Sequence, residues 1–414
     1  MKEQISHYLN DPVQLEKLYR TNKSSFKKNF NMLYPSIQGS SLADFWNTRL
    51  NYEADEINWG SKKDFLFVLS IAFLAGLIAK LPHIFSISEE FFYPRNIGFI
   101  VFPILASYFA WKHKLALKKV ILLAVTTIAA AVFINVLPHF PESDTLILSC
   151  IHLLIVLWTV LGFAYTAGEF KAYNKRLQFL KYNGDLLVLS GLICIAGGLM
   201  TAITIGLFTL IDVYIEAFYF GYVVIFGLPA VPVLATYLIE KNPHLVGKIS
   251  PVIARIFSPL VLVMLISYLA AMIFSGKDPY NDREFLLIFN VLLVGVMAII
   301  FFSVAGASES KKSKPEVVIL ILLSIVTIIV NGIALSAILF RISEWGITPN
   351  RLAVLGANLL ILVNLVMVTA KLLKVTSKKA ALEDVGETIT RYLPVYVIWA
   401  VIVTFSFPLI FGVQ

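Results

Sequence analysis

From Phe65 to the C-terminus the chain alternates long apolar runs with short polar loops. A helix rises about 1.5 Å per residue, so crossing roughly 30 Å of hydrocarbon takes about 20 mostly apolar residues. On that measure spans are predicted at 65–81, 97–111, 120–137, 146–167, 186–210, 218–238, 252–275, 285–304, 317–340, 352–370 and 394–411, eleven in all. Backbone amides find no water inside a bilayer and must bond within the segment. The predicted fold class is therefore an all-α, polytopic transmembrane helical bundle.

Residues 1–64 follow a different pattern. Asp11 and Pro12 read as a helix cap and first helical residue, followed by Leu15, Leu18 and Tyr19 at helical spacing. A second helix is predicted across 23–34, where Phe26, Phe30, Leu33 and Tyr34 share a face beside Lys23, Lys27 and Lys28. A third runs from Ser41 to Tyr52 with Leu42, Phe45, Trp46 and Leu50. The start of the chain lacks the basic, apolar, small-residue order of a cleavable signal peptide. Two domains are thus expected: a cytoplasmic helical, amphipathic region over 1–64 and a transmembrane domain over 65–414. The first is read either as a helical cap packed under the bundle or as a surface for anionic lipid or a protein partner.

Charge fixes the orientation. Basic residues stay on the cytoplasmic side of short loops, and alternating the eleven spans puts 28 of the 34 Lys and Arg on the side of the N-terminus and 6 on the other. The N-terminus is expected inside and the C-terminus outside. The net charge of +8 then reflects topology, and no nucleic-acid partner is expected. Composition agrees: 58% hydrophobic and 14% charged residues, with a mean hydropathy of +0.81, exclude a soluble enzyme. Both cysteines, Cys150 and Cys194, fall within spans and suggest neither a disulfide nor a zinc site.

No H-E-x-x-H, G-x-S-x-G, Walker, G-x-G-x-x-G or C-x-x-C motif occurs, so no catalytic residue, cofactor or metal ligand is assigned and no enzyme activity is expected. Several constellations remain. Leu81-Pro82-His83 and Leu137-Pro138-His139 stand at the outer ends of spans 1 and 3, each followed by acids. If the two hairpins adjoin, His83 and His139 would meet, and with Asp212 and Glu216 they make a candidate outer-face polar cluster. Span 5 carries Ser190, Cys194, Gly198, Ala202 and Gly206 at four-residue spacing, a stripe suited to close helix packing. Its rival is an unwinding at Gly197-Gly198 paired with a break at Gly227, Pro229 and Pro232, as in transporter sites. Asn290, Asn331 and Asn364 place amides inside spans 8, 9 and 10, where they are expected to bond across helices.

Arg341-Ile-Ser-Glu344-Trp345-Gly346-Ile-Thr348-Pro349-Asn-Arg351 joins spans 9 and 10. Thr348 and Pro349 read as the cap and first residue of span 10, Gly346 as the reversal, and Trp345 as an interfacial anchor. Arg341 is expected to pair with Glu344. Arg351 opposes the dipole of its own helix, so an acidic partner or a bound anion such as a lipid phosphate is expected beside it. Arg341, Glu344, Trp345 and Arg351 are the candidate functional or lipid-contacting residues.

This loop resembles a bacterial family of multi-spanning inner-membrane proteins filed as domain of unknown function 4153, in which an Arg, an acid, an aromatic-Gly pair, a Thr and a second Arg recur. Leu15-Glu-Lys-Leu-Tyr-Arg20 and Phe45-Trp-Asn-Thr-Arg-Leu-Asn-Tyr-Glu53 are similar to the leader of relatives from the Bacteroidota. The resemblance implies a helical fold in the bacterial inner membrane and carries no activity. The functional expectation is a non-ATP-driven transporter or lipid-handling protein of the cell envelope. The alternative is a non-catalytic scaffold or regulatory subunit that recruits a partner through residues 1–64. Membrane lipids are the expected partners.

Overall fold

The computed structural model describes residues 2–21, 23–51, 60–209, 214–243, 258–263, 265–267, 269–270, 283–305 and 314–413. Among them no strand occurs. The chain divides into two units, Met1–Asn58 and Trp59–Gln414.

The first unit holds four helices: α1 (Lys2–His7), α2 (Pro12–Thr21), α3 (Lys23–Leu33) and α4 (Ser41–Asn51). The expected starts are met. Asp11 Oδ1 accepts from the amides of Val13 and Gln14 at 3.0 and 3.1 Å, satisfying donors that an uncapped helix would leave open. Leu15, Phe26, Phe30 and Trp46 are buried together, with the rings of Phe26 and Trp46 5.1 Å apart. The apolar face of α3 is therefore consumed by this unit's own core and is not available to lie on a membrane. Glu16 binds Arg20 at 2.9 Å and Arg49 at 3.0 Å, and Arg49 lies over the Trp46 ring.

The second unit comprises α5 (Lys62–Phe85), α6 (Glu89–Lys112), α7 (Leu117–Val136), α8 (Asp144–Tyr165), α9 (Tyr173–Thr209), α10 (Glu216–Lys241), α11 (Arg283–Ala305), α12 (Lys314–Trp345), α13 (Pro349–Thr376) and α14 (Leu382–Phe411). Among the described residues eight of these, all but α6 and α11, are long and apolar enough to cross a membrane. The expected second span is α6, whose first turns carry Glu89, Glu90 and Arg95 and so shorten its apolar part. The eighth is α11, apolar over Leu292–Ala305, and most of the seventh lies outside the described residues.

Two apolar clusters organise this unit. One gathers α5, α6, α8, α10 and the start of α9 around Leu105, Phe109, Leu161, Tyr182 and Tyr237. The other gathers α11, α12, α13 and α14 around Leu293, Leu323, Leu365 and Ile389. The start of α9 lies between them, giving Phe179 and Tyr182 to the first and Leu177 and Leu180 to the second. Trp158 packs against both, and its indole N–H donates to Asn183 Oδ1 at 2.8 Å.

Two expectations for α9 and α10 are corrected. The small-residue stripe of span 5 is not a packed face from Cys194 to Ala202: Cys194 and Ala202 are exposed, and nothing lies within 4 Å of where a Cβ would stand on Gly198. The contacts of α9 come from its first turns, where aromatic and leucine side chains bury more area than glycine can. Close approaches occur elsewhere, at Gly98 against Leu154 and Leu157 and at Gly356 against Trp399. The broken-helix pair is not formed either, because α9 runs through Gly197-Gly198 and α10 through Pro229 and Pro232. The irregularity in α10 is a π turn over Tyr219–Val224. Such a turn loosens the regular bonding ladder, and Lys80 Nζ of α5 donates to the Gly221 carbonyl at 2.6 Å while lying over the Tyr222 ring.

Candidate functional site

The turns that join α5 to α6 and α7 to α8 lie at one end of the bundle, and the first turns of α6 and α8 start there. Between those turns opens a cleft of about 370 Å³. Glu90, Arg95 and His139 supply its polar groups, and Phe91, Pro94, Ile97, Pro141, Leu146, Ile147, Cys150, Ile151 and Leu154 supply apolar wall. Ile97, Ile147 and Ile151 are exposed, so the cleft opens sideways from the bundle as well as at its end.

Arg95 is the group that sequence reading missed. It is only 2% exposed, an unusual setting for a guanidinium. One terminal nitrogen donates to the carbonyls of Leu137 and Pro138 at 3.4 and 3.0 Å, and the guanidinium lies 4.1 Å from the centre of the Phe91 ring. Those carbonyls follow the end of α7, the electronegative pole of that helix, where a cation is favoured. Nε and the other terminal nitrogen are buried without a hydrogen-bond partner. No carboxylate forms an ion pair with Arg95 among the described residues, although Glu90 lines the same cleft. Next to Arg95, the side-chain amides of Asn96 and Asn135 exchange two hydrogen bonds of 2.9 Å and tie α6 to α7.

The predicted polar cluster is only partly assembled. His139 lies in the cleft, its ring edge-on to Phe91 at 5.3 Å. His83 instead faces Glu89 at 3.4 Å, and no contact joins the two histidines. Each imidazole meets a different residue of the first turn of α6, His83 Glu89 and His139 Phe91. Glu216 opens α10 without a bond to either histidine, and Asp212 lies outside the described residues. Among the described residues no group of three His, Cys, Asp or Glu side chains is arranged to hold a metal ion.

At the α12–α13 turn the caps are as expected. Thr348 accepts from the Arg351 amide at 3.3 Å, and Gly346 adopts a positive φ of 76° that reverses the chain. The arginines differ from expectation. Arg351 donates to the carbonyls of Trp345 and Gly346 at 2.9 and 2.7 Å, and among the described residues no carboxylate pairs with it. Its unfavourable position in the first turn of α13 is compensated by the negative pole of α12 directly before it, so an acid is not needed. Arg341 does not pair with Glu344, which is exposed; its guanidinium lies 5.9 Å from the Trp345 ring, and that of Arg351 lies 5.6 Å from the same ring. Both guanidiniums thus lie within 6 Å of the Trp345 ring centre.

The intramembrane amides bond across helices in two of three cases. Asn331 donates to the Asn358 carbonyl at 3.1 Å and Asn364 to Tyr396 Oη at 3.0 Å, while Asn290 Oδ1 is buried without a partner. At the opposite end of the bundle Lys241 binds Asp64 at 2.6 Å and Lys112 pairs with Glu240, fastening α5 and α6 to α10. No known protein family, curated protein or solved structure matches the chain.

Proposed function

We propose that this chain is a lipid-handling protein of a bacterial inner membrane, working without ATP, and that the α6–α8 cleft receives one amphiphile from the surrounding bilayer. The observation that carries this reading is a cleft with apolar walls open to the side and a buried, incompletely bonded arginine near its end. Ligand clefts of this kind combine mostly apolar lining with few polar groups that fix orientation. A buried cation with unmade hydrogen bonds is costly in a low-dielectric setting, and an anionic head would supply the missing acceptors. The basic-residue asymmetry supports placing this end on the outer side, with the N-terminus in the cytoplasm, and the resemblance of the 341–351 loop supports the assignment to the inner-membrane family.

The test is phospholipid retained by the purified protein. Ile151→Trp, which fills the cleft from an exposed wall, should lower retained lipid severalfold, whereas Val125→Trp on the exposed face of α7 should leave it unchanged. Equal retention in both variants would overturn the reading. The scaffold alternative is favoured by Val13, Met32 and Phe45, which the first unit leaves exposed; it gains if the cleft variant is silent and Phe45→Ser removes a co-purifying protein.

A further inference from the structure

The order of groups along the cleft specifies the head of the ligand. We propose that the cleft selects a zwitterionic phospholipid of the phosphoethanolamine type, with its phosphate at Arg95 and its ammonium at Glu90. The inference rests on the lipid-handling reading and adds the head-group class to it.

Glu90 and Arg95 are five residues apart on α6, so their positions differ by about 7.5 Å along the helix axis. Glu90 is nearer the end of the bundle and Arg95 is deeper. Beyond Arg95 the wall becomes apolar, and along α8 it descends from Ile147 through Ile151 to Leu154. From the end inward the cleft therefore presents an acid, a cation and then hydrocarbon. A phosphoethanolamine lipid carries the complementary sequence in the same order: ammonium outermost, phosphate next, acyl chain last.

The charges in the cleft are also free to be used in this way. Two neighbouring acids open α6, and only one is engaged: His83 takes Glu89, while Glu90 has no ion-pair partner among the described residues. Arg95 is held in place by the Leu137 and Pro138 carbonyls and retains two unbonded nitrogens. Nε and the free terminal nitrogen of Arg95 each have an N–H to offer a phosphate oxygen, and hydrogen bonds to a charged partner are stronger than neutral ones. A lipid with only a negative head, such as phosphatidylglycerol, would satisfy Arg95 but set its charge near that of Glu90. A cationic amphiphile would meet the reverse conflict at Arg95. One head with both signs avoids each repulsion, which is how a site discriminates by penalising the wrong ligand.

The test titrates the full-length protein in detergent with phosphatidylethanolamine or phosphatidylglycerol of identical acyl chains, counting bound lipids by native mass spectrometry. Wild type should bind the ethanolamine lipid about tenfold more tightly, the scale of one charged hydrogen bond gained against one repulsion. Glu90→Gln should bring the ratio close to one without reducing binding of the glycerol lipid. Arg95→Lys, which keeps the charge but loses the Nε and Nη donors that the carbonyls leave unbonded, should weaken both lipids alike. Soluble glycerophosphoethanolamine should compete poorly, because it lacks the chain that the apolar wall receives; equal competition would make the ligand a free head group and overturn the lipid proposal. A wild type without preference, or a preference that survives Glu90→Gln, overturns the head-group assignment while leaving the cleft reading intact if Ile151→Trp still lowers binding. Binding of both lipids that ignores Ile151→Trp removes both.

Discussion

Gly356 and Gly198 make a matched pair of glycines in opposite surroundings. A methyl group on Gly356 would overlap three atoms of the Trp399 benzo ring, whereas one on Gly198 meets nothing within 4 Å. Trp399 cannot swing away freely, because it sits in a cluster with Ala353, Val403 and Phe407 and meets the Phe407 ring edge-on at 6.2 Å. Gly→Ala in a helix interior gains about 0.8–1 kcal/mol of propensity at either site. Overpacking a close contact costs about 1–3 kcal/mol, and only Gly356 incurs it. Gly198→Ala should therefore be neutral or mildly stabilising, and Gly356→Ala should be less stable than Gly198→Ala by roughly 1–3 kcal/mol. Gly198→Leu should be tolerated as well, contrary to what the small-residue stripe suggests. The assay is thermal unfolding of the detergent-solubilised protein, with Trp399→Leu added to Gly356→Ala. If the clash is the cause, the second substitution costs less in the Gly356→Ala background than alone. Equal effects of the two alanines, or loss of stability in Gly198→Leu, would show that α9 packs through its glycines and that this helix arrangement is wrong.

Three further outcomes are expected. Arg351→Ala should destabilise by about 0.3–1 kcal/mol through loss of the α12 end cap, Arg351→Lys should do so less, and Glu344→Gln should change nothing; a Glu344→Gln loss as large as that of Arg351→Ala in thermal unfolding would restore an acid partner. The Arg20 hydrogen bond, aided by Arg49, holds the Glu16 carboxyl below its ordinary value of 4.5, so its stabilising contribution is present above that pH and lost as pH falls through the lowered value; the acid unfolding of the first unit, followed by Trp46 fluorescence, should lose this component in Glu16→Gln and keep it in Glu3→Gln. In a cysteine-free background, an impermeant thiol reagent added outside cells should modify Glu142→Cys and spare Ser310→Cys, and the reverse would invert the orientation.

The helical order was legible because it depends on local rules. Asp11-Pro12 and Thr348-Pro349 start helices where the caps predict, and apolar length places the ends of α7 and α8 within three residues and those of α12 and α13 within six. The cleft was half legible: Pro138-His139 and the acids after Pro82 point to this end of the bundle, but Arg95 carries no local signal. Its partners are 42 and 43 residues away, at the end of α7. The same reason hid the carbonyl partners of Arg351, since opposition to its own helix dipole is visible in sequence while the pole of the neighbouring helix appears only once the turn is folded. Lys119 repeats the device, donating to the Ala167 carbonyl at 2.7 Å just past the end of α8. The stripe on α9 failed for another reason. Four-residue spacing says which residues share a face, and nothing in it says whether a neighbour arrives.

The central claim is that an amphiphile occupies the α6–α8 cleft. It is tested most directly by a phospholipid with a photoreactive acyl chain, incorporated into membranes containing the protein and mapped after illumination by peptide mass spectrometry. Cross-links concentrated between Leu146 and Leu154 of α8 and abolished by Ile151→Trp are the predicted result. Cross-links confined to the exposed faces of α7 and α9, with the α8 segment unlabelled or its labelling indifferent to Ile151→Trp, would contradict it.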